Sequence, residues 1–270
     1  MLRALAASEP ATAPDPRYLE RAQASTGLDA AMRGAVVSWM VEVAAEFRLG
    51  QEALHLAASL LDRFLSAARG VPRARLQLVA VAALLVAAKH EEEAHPAVAE
   101  FVRIADDSFS AEDLLRMEGA LLSALGFRAN APTAATFLAL IRGALRLSDE
   151  AHALASYLAE LALLDYSLLA LPASAVAAGA AALAAARLGD GAALRALPGL
   201  VPAAAASAVT VMLRLQALQR AADAAARRPG HALSAPVREK FAGREWHAVA
   251  LLPPLERLVA PLPPRAPAAA

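Results

Sequence analysis

LVAVAALLVAAKHEEE, running from Leu78 to Glu93, decides the fold of this 270-residue chain. Every side chain from Leu78 to Ala88 is apolar, and one lysine, one histidine and three glutamates follow. The run is shorter than the roughly 20 apolar residues that cross a bilayer. It is apolar on all sides, which suits a central helix buried in a helical protein. Its charged exit then has to reach the surface at Lys89. Further on, LLRMEGALLSALGF, Leu114 to Phe127, has helical spacing with Glu118 in its first turns.

Composition supports an all-α chain. Apolar residues make up 58% and aromatics only 4%, so alanine supplies much of the bulk and helices can approach closely. Alanine, leucine and arginine favour helix, and strand-type alternation is missing. At this length two packed units are expected rather than one. Lys plus Arg equals Asp plus Glu at 26 each, which argues against broad nucleic-acid or membrane-surface binding. Without cysteine there are no disulfides and no thiolate metal sites. The basic residues are arginine everywhere except Lys89 and Lys240, although the two types differ at sites needing a compact ammonium.

Working outward, residues 1–14 are small and proline-broken, which predicts a disordered tail, and PRYLERAQA at 16–24 predicts a short helix. A first long helix is expected over Ala30–Arg48, capped by Asp29. At about 100° per residue Met32, Val36, Trp39 and Val43 share one stripe, and Val37, Met40, Val41, Ala44 and Phe47 widen the apolar arc to roughly 200°. That is wider than one core contact needs. The next helix spans Gln51–Ala67, where Asp62 and Arg63 read as solvated charges. The central helix begins near Arg73. HEEEAH, His90 to His95, differs from the zinc-binding HExxH pattern: its histidines stand five apart, about 140° around the axis, and Pro96 follows. A helix over Pro96–Ile104 leads to Asp106 and Asp107, but Ser110 breaks a DDxxD metal pattern. Ser108 or Ser110 is expected to cap a helix over Ala111–Leu125.

The second half repeats the plan. LLD at Leu60–Asp62 recurs at Leu163–Asp165, each copy followed by an apolar helix, which suits two stacked domains rather than a solenoid. Helices are expected over Thr133–Leu145, Asp149–Leu164, Ala173–Leu188 and Ala203–Ala226. Pro198 and Pro202 limit the fourth to one turn around Ala193–Leu197. Residues 166–186 carry no charge, yet Pro172 and the alanine content favour a core helix over a transmembrane one. The end, PLPPRAPAAA, is low-complexity with a PxxP pattern.

MRGAVVSWMVEV (Met32–Val43), DRFLS (Asp62–Ser66), the AK exit (Ala88, Lys89), VAEF (Val98–Phe101), RME (Arg116–Glu118) and REK (Arg238–Lys240) occur in an order and spacing that resembles the cyclin family, of A-type or A/B-like mitotic kind. The resemblance covers about residues 16–255. Departures are Ser38 for a usual aspartate, His90 for a common aromatic, and the Glu93, Ala94, His95 run, which is normally more apolar.

The resemblance implies two tandem five-helix cyclin boxes, 30–131 and 132–228. Before them come the tail at 1–14 and a helix with linker at 15–29; after them come an extension at 229–258 and a disordered tail at 259–270. It implies a regulatory subunit without catalysis, cofactor or metal of its own, which activates a cyclin-dependent kinase and controls cell-cycle progression in nucleus and cytoplasm. Kinase contacts would come from Lys89, Glu118, Glu92, Leu122 and Phe127. Met32, Val36, Trp39, Glu42 and Gln77 would form a groove for RxL-type substrates or inhibitors. Residues 1–31 hold no RxxL or KEN element, so destruction through that stretch is not expected. The alternatives are a cyclin-box scaffold of transcription-factor or retinoblastoma type without a kinase, and a helical enzyme. The latter needs converging acid, base or metal ligands, which the sequence does not offer.

Overall fold

The computed structural model describes residues 1–227 and 232–256. Among them every regular element is helical: α1 (Leu2–Ser8), α2 (Ala30–Glu46), α3 (Gln51–Ala67), α4 (Leu76–Glu91), α5 (Val98–Ile104), α6 (Ala111–Ala124), α7 (Ala134–Leu145), α8 (Asp149–Leu163), α9 (Ala173–Leu188), α10 (Gly191–Leu200), α11 (Pro202–Ala225) and α12 (Ala235–Ala242), with short 3₁₀ turns between some of them. Helices α2–α6 form box one and α7–α11 form box two. No helix among the described residues is long and apolar enough to cross a membrane.

Local chemistry sets where the helices start. The Asp29 carboxylate accepts from the Met32 amide at 2.8 Å and opens α2. Ser110 and Asp113 form a reciprocal capping box at the start of α6, each accepting from the other's amide at 3.1 Å. Ser148 opens α8 and Asp190 opens α10 with single caps, accepting from the Ala151 and Ala193 amides. At its far end α9 stops at Gly189, whose φ of 76° suits a residue without Cβ.

Each box is organised around its third helix. α4 packs against α2, α3 and α6, and its residues from Leu78 to Ala88 are all buried. α9 occupies the corresponding place in box two, against α7, α8, α10 and α11, with alanine where α4 has leucine and valine. Small residues let the helices come close. A Cβ built on Gly179 would lie 2.4 Å from Val211 Cγ1, so α9 and α11 leave no room there.

Several expectations are corrected. Residues 1–14 are not a tail: α1 and a 3₁₀ turn at Glu9–Ala11 lie on box two, with Leu2, Leu5 and Ala6 against the core. The Glu9 carboxylate, buried, accepts from the Ser174 amide at 2.8 Å and its hydroxyl at 2.6 Å, at the positive end of α9. Residues 16–27 form a succession of turns instead of a helix. Fully buried Gln23 imposes them, its amide nitrogen donating to Leu65 O at 2.8 Å and its oxygen accepting from Val71 N at 2.9 Å. The fourth helix of box two is a full ten-residue helix with Pro198 inside its last turn, where only one backbone bond is lost. The terminal tail and its PxxP pattern lie outside the described residues.

Asp62 and Arg63 are not solvated either. Arg33 donates through Nη2 to Asp62 Oδ2 at 2.6 Å and through Nε to Oδ1 at 3.1 Å, and both side chains are almost fully buried. The Tyr18 hydroxyl donates to the same carboxylate at 2.9 Å, and Arg33 Nη1 donates to the Leu163 carbonyl of box two. Burial, and then the Asp62 charge, push the Tyr18 phenol well above its ordinary pKa, so it stays protonated. Arg63 donates to the Arg128 and Ala129 carbonyls where box one ends. Arg33, held by Asp62, thus reaches across to box two, while Arg63 fastens the end of box one.

After α11 the chain returns as α12, which packs on α2 and α8. Lys240 Nζ lies 2.6 Å from Glu160 Oε1, a fully buried carboxylate, and 5.5 Å from the Trp246 ring centre. Burial raises the Glu160 pKa and Lys240 opposes that rise. Gln216, Gln219 and Arg220 of α11 donate to carbonyls of Leu252, Leu255 and Glu256, fixing the C-terminal extension to box two.

Candidate functional site

α4 and α6 lie side by side, and the last turn of α4 leaves the core at Lys89. Its ammonium sits 2.7 Å from Glu118 Oε1 and 2.9 Å from Oε2, on the surface. The lysine side chain is 37% exposed and the glutamate 14%. Positions 115, 118, 119 and 122 follow helical spacing and share one face of α6. Leu115 is 47% exposed on that face, Gly119 has open space where a Cβ would stand, and Leu122 is half-buried. Just beyond, Phe127 is 72% exposed. Gly126 and Phe127 both have a φ of 56°, a left-handed conformation that is unfavourable for a phenylalanine. The sequence reading did not include Leu115, although its spacing from Glu118 and Leu122 carried the signal.

Glu92 is placed differently from the rest of the expected kinase-binding set. Its Oε1 accepts from the Gly50 amide at 2.6 Å, at the start of α3, a helix with no side-chain cap of its own. A carboxylate at the C-terminal end of α4 opposes that helix dipole, yet the same charge favours the N-terminus of α3. One oxygen of Glu92 is thus used within the chain. His90 turns to Glu91 at 2.8 Å and His95 to the Pro96 carbonyl at 2.9 Å.

The expected docking residues lie on α2 and at the start of α4, which pack together. Met32, Trp39 and Gln77 are half-buried and Glu42 is exposed. Val36 is buried, so of the three apolar residues only Met32 and Trp39 offer surface. The wide arc of α2 explains the difference: Val37, Met40, Val41 and Ala44 enter the core, while α4 and α12 cover the helix on two sides. At Gly34, α2 also meets box two, with a built Cβ 3.3 Å from the Leu164 carbonyl.

The cyclin N-terminal domain model matches residues 1–130 and the cyclin C-terminal domain model matches residues 132–255. Over 158 residues the chain is 44% identical to Cyclin-A1-2 of Oryza sativa subsp. japonica, covering 57% of this chain and 33% of that protein. The chain thus spans about a third of the length of such relatives. In fold it is similar to a viral cyclin from herpesvirus saimiri, with a TM-score of 0.66 and 20% identity over 80% of this chain and 97% of that one. It is also similar in fold to a chain of the yeast RNA polymerase II CTD kinase CTDK-1 complex, with a TM-score of 0.53 and 18% identity over 66% and 64%. Two five-helix units in series, matched over nearly the whole described chain by the cyclin N-terminal and C-terminal domain models, establish that this chain belongs to the cyclin family.

Proposed function

We propose that this chain is the regulatory subunit of a cyclin-dependent serine/threonine kinase, acting in cell-cycle progression in nucleus and cytoplasm, and that it performs no chemistry of its own. The observation that carries this is the surface around Lys89 and Glu118. An ion pair stands there beside exposed Leu115, half-buried Leu122 and exposed Phe127. Phe127 supports the assignment most directly, because its left-handed backbone costs roughly 1–2 kcal/mol and burial within this chain returns little of it. An aromatic held out at such a cost is the kind of side chain that anchors a partner. The kinase would exist in two arrangements of one helix, and differential binding to this face would favour the active one.

The same chain docks substrates or inhibitors carrying RxL-type peptides on α2, through Met32, Trp39, Glu42 and Gln77 around buried Val36. Glu42 would pair with the peptide arginine and the apolar residues would take its leucine. Affinity capture from native extract with kinase identification, followed by phosphorylation assays on short peptides with and without an RxL segment, tests both parts. Trp39→Ala is expected to leave the short peptide unaffected and to weaken RxL substrates by roughly thirtyfold, about 2 kcal/mol. Capture without any kinase would leave the scaffold alternative standing. Collapse of the fold in Trp39→Ala would return that residue to the core.

A further inference from the structure

A cavity of about 530 Å³ lies where the N-terminal segment, α3, the 131–134 linker and the start of α9 converge. That volume falls within the roughly 300–1,000 Å³ of small-molecule sites. Alanine, proline and leucine make most of its wall, and His55 is the one aromatic side chain there. The charged residues on the wall already have partners: Glu9 with Ser174, Arg33 with Asp62, and Asp165 with Arg214. A charged ligand would find no free counter-ion.

Two polar side chains on the wall are different. Among the described residues His55 and Ser59 hydrogen-bond to nothing, and they stand four apart on α3, on one face. His55 is only 3% exposed as a residue, and its ring lines the cavity, where a ligand oxygen would take the place of solvent as its hydrogen-bond partner. Burial, with a smaller effect of the Lys240 charge, holds the imidazole pKa down at about 3. The ring is neutral at physiological pH and offers one donor and one acceptor.

We propose that this cavity binds a neutral, largely aliphatic alcohol or carbonyl compound of roughly fifteen carbons, with its oxygen held by His55 and Ser59. The N-terminal segment from Ala6 to Pro16 contributes one side of the cavity, so an occupied site holds that segment against both boxes. The site shares no residue with the surface around Lys89 and Glu118 and does not depend on kinase binding.

The full chain is titrated with farnesol, with farnesene, which lacks the hydroxyl, and with farnesoate, which carries a carboxylate instead. Farnesol is expected to raise the melting temperature saturably and to shift the ring ¹⁵N resonances of His55, assigned by their loss in His55→Leu. Farnesene is expected to bind about tenfold more weakly, and farnesoate to give no saturable response. His55→Leu should reduce farnesol to the farnesene level and leave farnesene unchanged. Ala58→Phe, which fills the cavity, should remove both; if that variant fails to fold, the His55→Leu comparison decides alone. Equal affinity for farnesol and farnesene, unaltered farnesol binding in His55→Leu, or no saturable response to farnesol would overturn the proposal.

Discussion

Box one and box two share a five-helix plan but use their polar side chains differently. The letters LLD occur in both. In box one Asp62 lies inside α3, buried, and joins Arg33 and Tyr18 at the seam. In box two Asp165 falls just past α8, opens a 3₁₀ turn through the Ser167 amide, and meets Arg214, whose side chain is 49% exposed. The third helices differ in the same sense. Both ends of α9 are engaged by the chain's own terminal segments, Glu9 at its start and the Pro253 carbonyl, through Arg187, at its finish. α4 instead ends in a charged exit beside exposed Leu115 and Phe127. Among the described residues, segments near Glu9 and Pro253 lie on box two, while the face around Lys89, Leu115 and Phe127 is exposed.

The largest expected effect comes from the shared letters. Asp62→Ala leaves the Arg33 charge buried and unpaired, which should lower stability by about 3–5 kcal/mol. Asp165→Ala should cost about 1 kcal/mol, since a local cap and a partly solvated ion pair are lost. Urea denaturation of both variants measures the difference, and equal losses would erase the contrast between the boxes.

Acid should act on box one through His55. Its folded pKa is depressed to about 3 from the ordinary 6.5, so below that ordinary value the unfolded chain takes up a proton that the folded chain refuses. Stability present above pH 6.5 is then lost as pH falls toward 3, with a slope of up to ~1.4 kcal/mol per pH unit from this group. Melting curves of the parent and His55→Leu between pH 6.5 and 5, above most carboxylate titration, should show the shallower slope in the variant. Parallel slopes would refute the assignment.

A smaller effect is expected in box two. Gly179→Ala places a methyl 2.4 Å from Val211 Cγ1. Overpacking of that kind costs about 1–3 kcal/mol, against at most ~1 kcal/mol gained in helix propensity. Adding Val211→Ala should restore much of the loss, as thermal unfolding of the single and double variants would show.

Much of the fold was legible because α2, α3, α4, α6, α8, α9 and α11 each carry long apolar or helical runs with recognisable caps such as Asp29 and Ser110. The N-terminal segment was not, because Leu2, Leu5 and Ala6 form too short a pattern to predict a partner surface, and Glu9 gives no local sign that it caps a helix 165 residues away. Asp62 and Arg63 look like solvated charges in a one-dimensional reading, since their partners, Arg33 and two backbone carbonyls near residue 128, are distant in the chain. Lys89 and Glu118 were legible as a pair from the resemblance, supported by the scarcity of lysine in this chain. Glu92 was only half so, because its attraction to the start of α3 depends on how α3 and α4 pack. Val36 was misplaced for a similar reason: periodicity fixes a stripe but not which neighbour covers it.

The kinase assignment rests on the order of charges at the exit of α4. Exchanging them, Lys89→Glu with Glu118→Lys, keeps an ion pair between the two helices while reversing the field that a partner meets. The exchange keeps an ion pair at the surface, and such pairs contribute about 0–1 kcal/mol, so helicity and melting temperature should stay close to the parent. Titration of the exchanged variant against the kinase recovered with the parent chain is the most direct test. Loss of binding with an intact fold is the predicted result; parent-like affinity would contradict the assignment of this face.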